Sequence, residues 1–298
     1  MRLFLLRLIR LTKYMDGAIT ELARAKVNLT LHVGAAITAG NWTGYHPVES
    51  LVVFADFGDV LNFEPAEQNR VSYTGTFSEN FIDVDEGQNS MIKTLVLCGV
   101  NEAMDIRLEK NIPIAAGLGG GTADAAAVLR VFDPKQKNHP IVIGADGPVC
   151  HLSQTAMMEG IGEIVTPQPE LGRLSAVLVN PGVSVSTGEI FKAMDSTPRP
   201  ETPKLTARRG DLLSRALSGE NDMQDAAIVQ APVISDVLRL LAQQTGCELA
   251  RMSGSGATCF GIFRSDAQAR AAVDAIMSVQ SGWWCRACRL GDRPEDTA

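Results

Sequence analysis

Apolar and polar positions alternate with two different periods along the chain, which predicts a protein that mixes strands and helices. The clearest alternation predicts a strand over residues 19–33 and a strand pair over residues 49–63, with a turn around Asp56-Phe57-Gly58-Asp59. The other predicted elements are strands at residues 104–108, 176–180 and 257–263, and helices at residues 122–131, 231–245 and 266–278. This mixture places the chain in the α+β class.

Length and composition restrict the class of protein further. The chain has 298 residues, 45% of them hydrophobic, which is enough for two domains that share a cleft or for one large domain. Proline and glycine at residues 167–172 favour a boundary there, and residues 196–203 are predicted to form a linker. We therefore expect domains at residues 17–168 and 169–298. The net charge of −7 argues against general binding to nucleic acid or to an anionic membrane.

The first residues differ in character from the rest of the chain. Residues 1–14 are basic and apolar, but the charges interrupt every apolar run and no small-residue cleavage site follows. The segment is also too short and too charged to span a membrane. We interpret residues 1–16 as an amphipathic extension or as the product of an upstream start site, with Met15 as the alternative start.

The six cysteines are scattered through apolar surroundings, which is typical of reduced thiols in a cytoplasmic protein. Cys285 and Cys288 have the spacing of a zinc or redox pair, but no second pair accompanies them. The sequence therefore argues against a zinc or redox site there and leaves the role of the two cysteines open.

The most distinctive segment is the glycine-rich run at residues 112–127. Four of the five residues at 117–121 are glycine, and a strongly helix-forming stretch follows them. A glycine loop that opens onto a helix N-terminus presents amide donors and the positive end of the helix dipole to an anion. No lysine follows as in a Walker A loop, and the Rossmann spacing is absent. The run predicts a phosphate site, and the alternative is a flexible turn.

Three further places carry candidate chemistry. Lys26 lies in an apolar predicted strand with Asn28 on the same face, so it either meets an anion or reaches solvent at a sheet edge. Asp146 lies in a Gly-Ala-Asp-Gly-Pro turn, as a functional carboxylate or as a simple N-cap. The small-residue loop at residues 252–257 allows close backbone approach, either to a ligand or to the first glycine loop.

These pieces together resemble the GHMP kinases, a family of small-molecule kinases. The order is the family's: a strand that carries lysine, then Pro-x-x-x-Gly-Leu-Gly-Gly-Gly, then a C-terminal Ser-Gly-Ser-Gly-Ala. The resemblance covers about residues 21 to 263. Its further marks are Ala25-Lys26-Val27-Asn28-Leu29, Gly44-Tyr45-His46, Gly144-Ala145-Asp146, Glu159-Gly160-Ile161-Gly162-Glu163 and Asn180-Pro181-Gly182.

The resemblance implies a fold and a set of binding residues. The fold is the two-domain GHMP kinase fold, with an N-terminal domain like ribosomal S5 domain 2, a C-terminal ferredoxin-like α/β sandwich and the active site between them. The implied cofactors are ATP and Mg²⁺, with the hydroxyl of Thr122 as a candidate contact to a phosphate or the metal. The residues implied to bind ATP lie in the glycine run and are Pro113, Ala116, Gly117, Leu118, Gly119, Gly120, Gly121, Thr122 and Ala123.

The resemblance also implies a reaction. Asp146 accepts the proton of a substrate hydroxyl, and Lys26 holds that carboxylate and offsets the developing charge. The implied substrate is cytidine diphosphate-linked methylerythritol, with its cytidine stacked and read by Tyr45 and His46 and with Phe191 as a second stacking face. Asn28 and Thr187 complete the implied substrate contacts.

The same resemblance implies a cytoplasmic monomer or weak homodimer. Two alternatives remain open. One is another GHMP kinase that acts on a different small molecule, and the other is a nucleotide-binding homologue with impaired catalysis. The stretches at residues 90–107 and 129–143 are short for the family, which keeps the second alternative open.

Overall fold

The computed structural model describes residues 19–81, 89–133, 139–168 and 171–292. The predicted N-terminal extension at residues 1–16 lies outside the described residues. The eleven strands found within them are β1 Ile19–Asn28, β2 His32–Val33, β3 Val48–Pro65, β4 Arg70–Thr74, β5 Met104–Glu109, β6 Ala156–Gly160, β7 Ile164–Pro167, β8 Arg173–Asn180, β9 Cys247–Met252, β10 Cys259–Phe263 and β11 Trp284–Gly291.

Helices cover the faces of these strands. The α-helices of the described residues are α1 Ser90–Leu97, α2 Gly120–Phe132, α3 Gly147–Leu152, α4 Thr187–Met194, α5 Leu212–Leu217, α6 Gln224–Gln230, α7 Val233–Ala242 and α8 Asp266–Val279. The described part of the chain also contains 3₁₀ turns at Ser78–Phe81 and Pro140–Ile143. Within the part of the chain described here, no helix combines the length and apolarity needed to cross a membrane.

Most of the predicted elements are confirmed. The helices predicted at residues 122–131, 231–245 and 266–278 are α2, α7 and α8, and the strands predicted at 104–108, 176–180 and 257–263 are β5, β8 and β10. The strand predicted over residues 19–33 is interrupted after Asn28, because Leu31 turns its amide to the carbonyl of Glu220 before β2 begins.

The turn predicted around residues 56–59 is wrong, because β3 runs through it as one strand. Antiparallel β1 and β5 flank it in this region. Gly58 allows close backbone approach, since a Cβ there would overlap the carbonyl of Ala23. The buried Asp59 carboxylate accepts amide hydrogen bonds from Asn111 at 2.6 Å and Ile112 at 2.8 Å. The polar and glycine positions therefore mark tertiary contacts rather than a turn.

A bulge in β1 lies next to the residue that matters most for the site. The register of β1 against β3 shifts between Arg24 and Lys26, and β-bulges commonly re-aim a side chain beside an active site. Lys26 follows this irregularity directly, so its side chain leaves the strand at a position set by the bulge.

One continuous sheet joins the two parts of the chain. Its order is β4-β5-β3-β11-β8-β10-β9, and β11 reaches β3 through the pair Leu290–Ala55. Separate apolar clusters lie between the sheet and α1 and α2 in the N-terminal part, and between the sheet and α4, α7 and α8 in the C-terminal part. The division at residues 168 and 169 stays a prediction.

Candidate active site

The glycine loop ends at the N-terminus of α2 with its amide groups available. Gly119 is the N-cap with φ of 67°, and its carbonyl accepts the first helical hydrogen bond from Ala123 at 2.7 Å. The first amides of a helix have no partner within that helix. Here these belong to Gly120, Gly121 and Thr122, so this end of α2 can bind an anion.

The carbonyl groups of the same loop are turned into the protein. Lys26 donates its amide hydrogen to the Leu118 carbonyl at 2.9 Å, and Thr258 donates to Ala116 at 3.2 Å. The hydroxyl of Ser253 donates to the carbonyl of Gly117 at 3.0 Å. These bonds fix the backbone of the loop and remove its acceptors from the side where a phosphate would lie.

The two small-residue loops contact each other. A Cβ at Gly117 would overlap the carbonyl of Ser253, and a Cβ at Gly254 would lie 2.9 Å from the carbonyl of Gly117. Of the two expectations for residues 252–257, approach to the first glycine loop is therefore confirmed. Gly254 and Ser255 also line the cavity described below.

Lys26 and Asp146 form an ion pair beside this loop. The Lys26 Nζ lies 2.9 Å from Asp146 Oδ2, and the exposed fractions of the two side chains are 4% and 29%. Lys26 therefore does not reach solvent at a sheet edge. Asp146 does precede α3, but its side chain makes no capping hydrogen bond. The simple N-cap interpretation is wrong.

Asn28 fixes the position of Lys26, and both polar atoms of the Asn28 side chain form hydrogen bonds. Its Oδ1 accepts from Lys26 Nζ at 2.8 Å, and its Nδ2 donates to Ser50 Oγ at 2.8 Å. Its backbone amide donates to Ser253 Oγ at 3.1 Å. Asn28, predicted from the resemblance to contact substrate, thus orients Lys26 and ties β1 to the second loop.

A cavity of about 680 Å³ joins these groups to the rest of the predicted site. The predicted residues that line it are Lys26, Asn28, Tyr45, His46, Gly117, Gly119, Thr122, Asp146, Thr187 and Phe191. Those from the glycine run that do not line it are Pro113, Ala116, Leu118, Gly120, Gly121 and Ala123. Leu118 is fully buried in the apolar core, so it supports the loop from behind.

The aromatic end of the cavity differs from the predicted arrangement. The rings of His46 and Phe191 stack directly, with centroids 4.6 Å apart and planes 15° apart. The two rings therefore leave no space for a base between them. Tyr45 is 52% exposed and packs edge-on against Trp42. The hydroxyl of Thr187 pairs with that of Ser255 at 2.7 Å.

A buried charge cluster behind the glycine loop was missed at the sequence level. The Lys110 ammonium contacts Asp59 and lies 2.9 Å from Asp124 Oδ2, while Asp124 Oδ1 is buried without a hydrogen-bond partner. Burial raises the pKa of Asp124 to about 7. Burial alone would lower the pKa of Lys110, but the two carboxylates outweigh it and raise that pKa. Lys110, two positions before Ile112, was the sequence feature that could have indicated this cluster.

Cys285 and Cys288 do not form a joint site. They lie on β11 and pack into different apolar clusters on its two faces. Burial raises the pKa of Cys285 to about 12 and raises that of Cys288 as well. Among the described residues, no three or more His, Cys, Asp or Glu side chains are grouped to hold a metal ion.

Comparison with known proteins gives consistent matches along the chain. The models for the GHMP kinase N-terminal domain and the GHMP kinase C-terminal region match residues 89–137 and 202–279. A protein of Paracoccus denitrificans named 4-diphosphocytidyl-2-C-methyl-D-erythritol kinase is 44% identical, over 91% of this chain and 96% of its own. A protein of the same name from Parvibaculum lavamentivorans is 37% identical, over 93% and 100%.

Solved structures agree with these relatives. The crystal structure of a 4-(cytidine 5'-diphospho)-2C-methyl-D-erythritol kinase superposes with a TM-score of 0.73 at 28% identity, and covers 92% of this chain and 100% of its own. The Methanococcus jannaschii mevalonate kinase superposes with a TM-score of 0.55 at 12% identity, over 93% of this chain and 98% of its own, which shows the shared fold alone.

Proposed function

The chain belongs to the GHMP kinases, alongside relatives named 4-diphosphocytidyl-2-C-methyl-D-erythritol kinase, and on that premise we propose that it is an ATP-dependent kinase of the same substrate. The reaction transfers the γ-phosphoryl group of ATP to the 2-hydroxyl of 4-diphosphocytidyl-2-C-methyl-D-erythritol. The product belongs to the non-mevalonate route to isoprenoid precursors.

The observation that carries the proposal is the Lys26–Asp146 pair, which lies on the same cavity as Gly117, Gly119 and Thr122. Phosphoryl transfer needs a positioned hydroxyl and compensation of negative charge more than it needs covalent chemistry. The cavity supplies the Asp146 carboxylate to position the hydroxyl. It supplies the Lys26 ammonium, together with the helix amides, to compensate the negative charge.

The roles of the pair follow from its contacts. The partly exposed Asp146 carboxylate accepts the proton of the 2-hydroxyl as that oxygen attacks the γ-phosphorus. The buried Lys26 ammonium keeps the carboxylate in place and lies where it offsets charge on the transferring group. The ammonium donates a further hydrogen bond to Asn28 Oδ1, which helps to fix its position.

The nucleotide phosphates bind at the amide end of α2. Its dipole and the amides of Gly120, Gly121 and Thr122 favour negative charge there. The left-handed backbone at Gly117 and Gly119 brings the loop close to Ser253 and to Lys26. Mg²⁺ bound with ATP would neutralise phosphate charge. Within the loop, Thr122 is the residue whose hydroxyl is suited to contact the metal.

The acceptor lies across the cavity from the loop. The aromatic side chains Tyr45 and Phe191 suit a nucleobase, because rings stack through their faces. Thr187 begins α4 on the same side. We also propose that the site lies in a cleft between domains at residues 17–168 and 169–298, and that the enzyme is a cytoplasmic monomer or weak homodimer that acts on a small molecule.

A coupled assay of ADP release tests the function. The full chain with Mg-ATP is given 4-diphosphocytidyl-2-C-methyl-D-erythritol, and in separate reactions homoserine, mevalonate and galactose. We expect ADP release above background with the first acceptor alone. Turnover of another acceptor in its place would support a different GHMP kinase. ATP binding without turnover of any alcohol would support an impaired homologue.

A further inference from the structure

Two arginines contact the C-terminal end of α3, the short helix that begins directly after Asp146. Arg130 Nη1 donates to the carbonyl oxygen of Cys150 at 2.7 Å, and Arg24 Nη1 donates to that of Ser153 at 3.0 Å. Cys150 lies in the last turn of α3, and Ser153 is its C-cap. The last carbonyl groups of a helix have no partner within it and favour positive charge. Both guanidinium groups therefore lie where this end of α3 needs donors.

The same two arginines also belong to, or bind, the strand that carries Lys26. Arg130 Nη2 donates to the carbonyl oxygen of Leu22 in β1 at 3.0 Å, and its Nε lies 2.6 Å from Glu21 Oε1. Arg24 is itself a residue of β1, at the position where the register against β3 shifts. Each arginine thus joins the end of α3 to the part of β1 that precedes Lys26.

The guanidinium of Arg24 is held in the interior of the protein. Arg24 is 2% exposed, and its Nε donates to the carbonyl oxygen of Ala55 at 2.9 Å. Its Nη2 donates to the carbonyl oxygens of Phe54 at 3.2 Å and Gly291 at 2.7 Å. A buried charge is costly unless its hydrogen bonds are made, and the planar guanidinium fixes their directions. These bonds therefore hold α3, β3 and the end of β11 in one arrangement.

The helix α3 connects this arrangement to the proposed base. Cys150 donates its amide hydrogen to the carbonyl oxygen of Asp146 at 2.9 Å. The six residues of α3, Gly147–Leu152, span only about 9 Å at the usual helical rise. A helix this short moves as one piece, so a shift of its C-terminal end displaces Asp146 as well.

We propose that Arg24 and Arg130 are positioning residues that hold α3 against β1 and so keep the Asp146 carboxylate in its reactive geometry beside the Lys26 ammonium. This inference rests on the proposed function, which makes Asp146 the base. Neither arginine lines the catalytic cavity, so both act through α3 and β1. Displacement of reacting groups by about 1 Å can lower a rate by about 100-fold.

The kinetics of ADP release by the full chain test the proposal. Arg24→Met and Arg130→Met remove the guanidinium donors and keep a long side chain. Arg215→Met is the matched control, because Arg215 is 1% exposed and also donates to a backbone carbonyl, that of Ala207 at 2.8 Å. Its Nη1 donates to Gln168 Oε1 at 2.9 Å, and neither of these partners belongs to α3 or β1.

We expect Arg24→Met and Arg130→Met each to lower kcat by about tenfold or more. The KM for ATP should change by less than about twofold, because the amides that bind phosphate lie at the opposite end of α2 from Arg130. Arg215→Met should lower the melting temperature but keep kcat within about twofold of wild type. A wild-type kcat in both test variants, or an equal fall of kcat in Arg215→Met, would overturn the proposal.

A double substitution separates positioning from a general weakening of the fold. Asp146→Asn has no base to position, so the addition of Arg130→Met should leave its residual kcat unchanged. A further fall by the same factor as in wild type would overturn the proposal. The Arg130 side chain is 19% exposed, so this variant should fold even where Arg24→Met does not.

The outcomes also separate this inference from the function on which it rests. If the wild-type enzyme turns over its cytidine substrate and the arginine variants keep its kcat, only the positioning role is defeated. A wild-type protein that releases no ADP with any acceptor defeats the proposed function, and the positioning role with it.

Discussion

The ammonium of Lys26 lies 2.9 Å from the carboxylate of Asp146, at the point where a bulged strand meets the start of a short helix. Lys26 is buried and Asp146 is partly exposed, so the ammonium is shielded from solvent while the carboxylate is open to the cavity. Such a pair needs all of its hydrogen bonds, because a buried charge without partners is costly.

Substitution of Asn28 tests that requirement. Asn28→Ala removes the acceptor 2.8 Å from Lys26 Nζ and the donor to Ser50. An unsatisfied buried polar group costs about 1–3 kcal/mol, so the free energy of unfolding measured in urea should fall by that amount. The kcat should fall too, because Lys26 loses its position.

Asn62→Ala is the matched control, since the one side-chain hydrogen bond of Asn62 within the described residues comes from the exposed Thr20 hydroxyl of the same sheet. It should leave both quantities nearly unchanged. Equal effects of the two substitutions would contradict the positioning role of Asn28.

The contact between the two glycine loops predicts a second result. Gly117→Ala should raise the KM for ATP, because the new methyl group displaces the loop from Ser253 and moves the amides at α2. The loss of one amide–phosphate hydrogen bond of about 1.5–3 kcal/mol corresponds to a rise in KM of about tenfold or more.

Gly99→Ala separates this clash from simple backbone strain. Gly99 has φ of 67° against 73° for Gly117, but no atom lies within 4 Å of its added methyl group. Gly99→Ala should cost about 1–2 kcal/mol of stability for its left-handed backbone and leave the KM for ATP unchanged. The same KM in both variants would show that the loop contact does not set the phosphate site.

The cluster behind the loop predicts a pH dependence of stability. The pKa of Asp124 rises from 3.8 to about 7 on folding, so the folded protein binds more protons between these values. Its contribution to stability is complete below about pH 4 and is lost as the pH rises through about 7. The free energy of unfolding of wild type, relative to Asp124→Asn, should therefore be smaller at pH 8 than at pH 5.

Urea unfolding at the two pH values measures this difference directly. Asp236→Asn serves as the control, since Asp236 is exposed on α7 and its ion pair among the described residues is with the exposed Arg239. A difference between wild type and Asp124→Asn that is the same at both pH values would show that Asp124 does not titrate in this range.

The local pattern of the sequence was sufficient to predict most helices and strands and the main functional side chains of the site. Lys26 and Asn28 share a strand face because side chains alternate with a period of two, and the structure pairs them. The glycine run followed by a helix-forming stretch predicted the N-terminus of α2 to within two residues.

Long-range contacts were beyond the reach of such patterns. The polar residues of β3 resembled a turn, because nothing nearby in sequence shows that Asp59 meets Lys110 and the amides of residues 111 and 112. The same limit hid the stacking of His46 on Phe191 and the approach of Asp195 to His46. These contacts arise from the packing of α4 against the loop before β3.

The most direct test of the account measures kcat for ADP release with Asp146→Asn. The asparagine keeps the shape of the side chain but cannot accept the hydroxyl proton as a base. With saturating Mg-ATP and 4-diphosphocytidyl-2-C-methyl-D-erythritol, kcat should fall by about 100-fold or more while the affinity for ATP changes little. Asp146→Asn with the kcat of wild type would contradict the assignment of Asp146 as the base and, with it, the proposed mechanism.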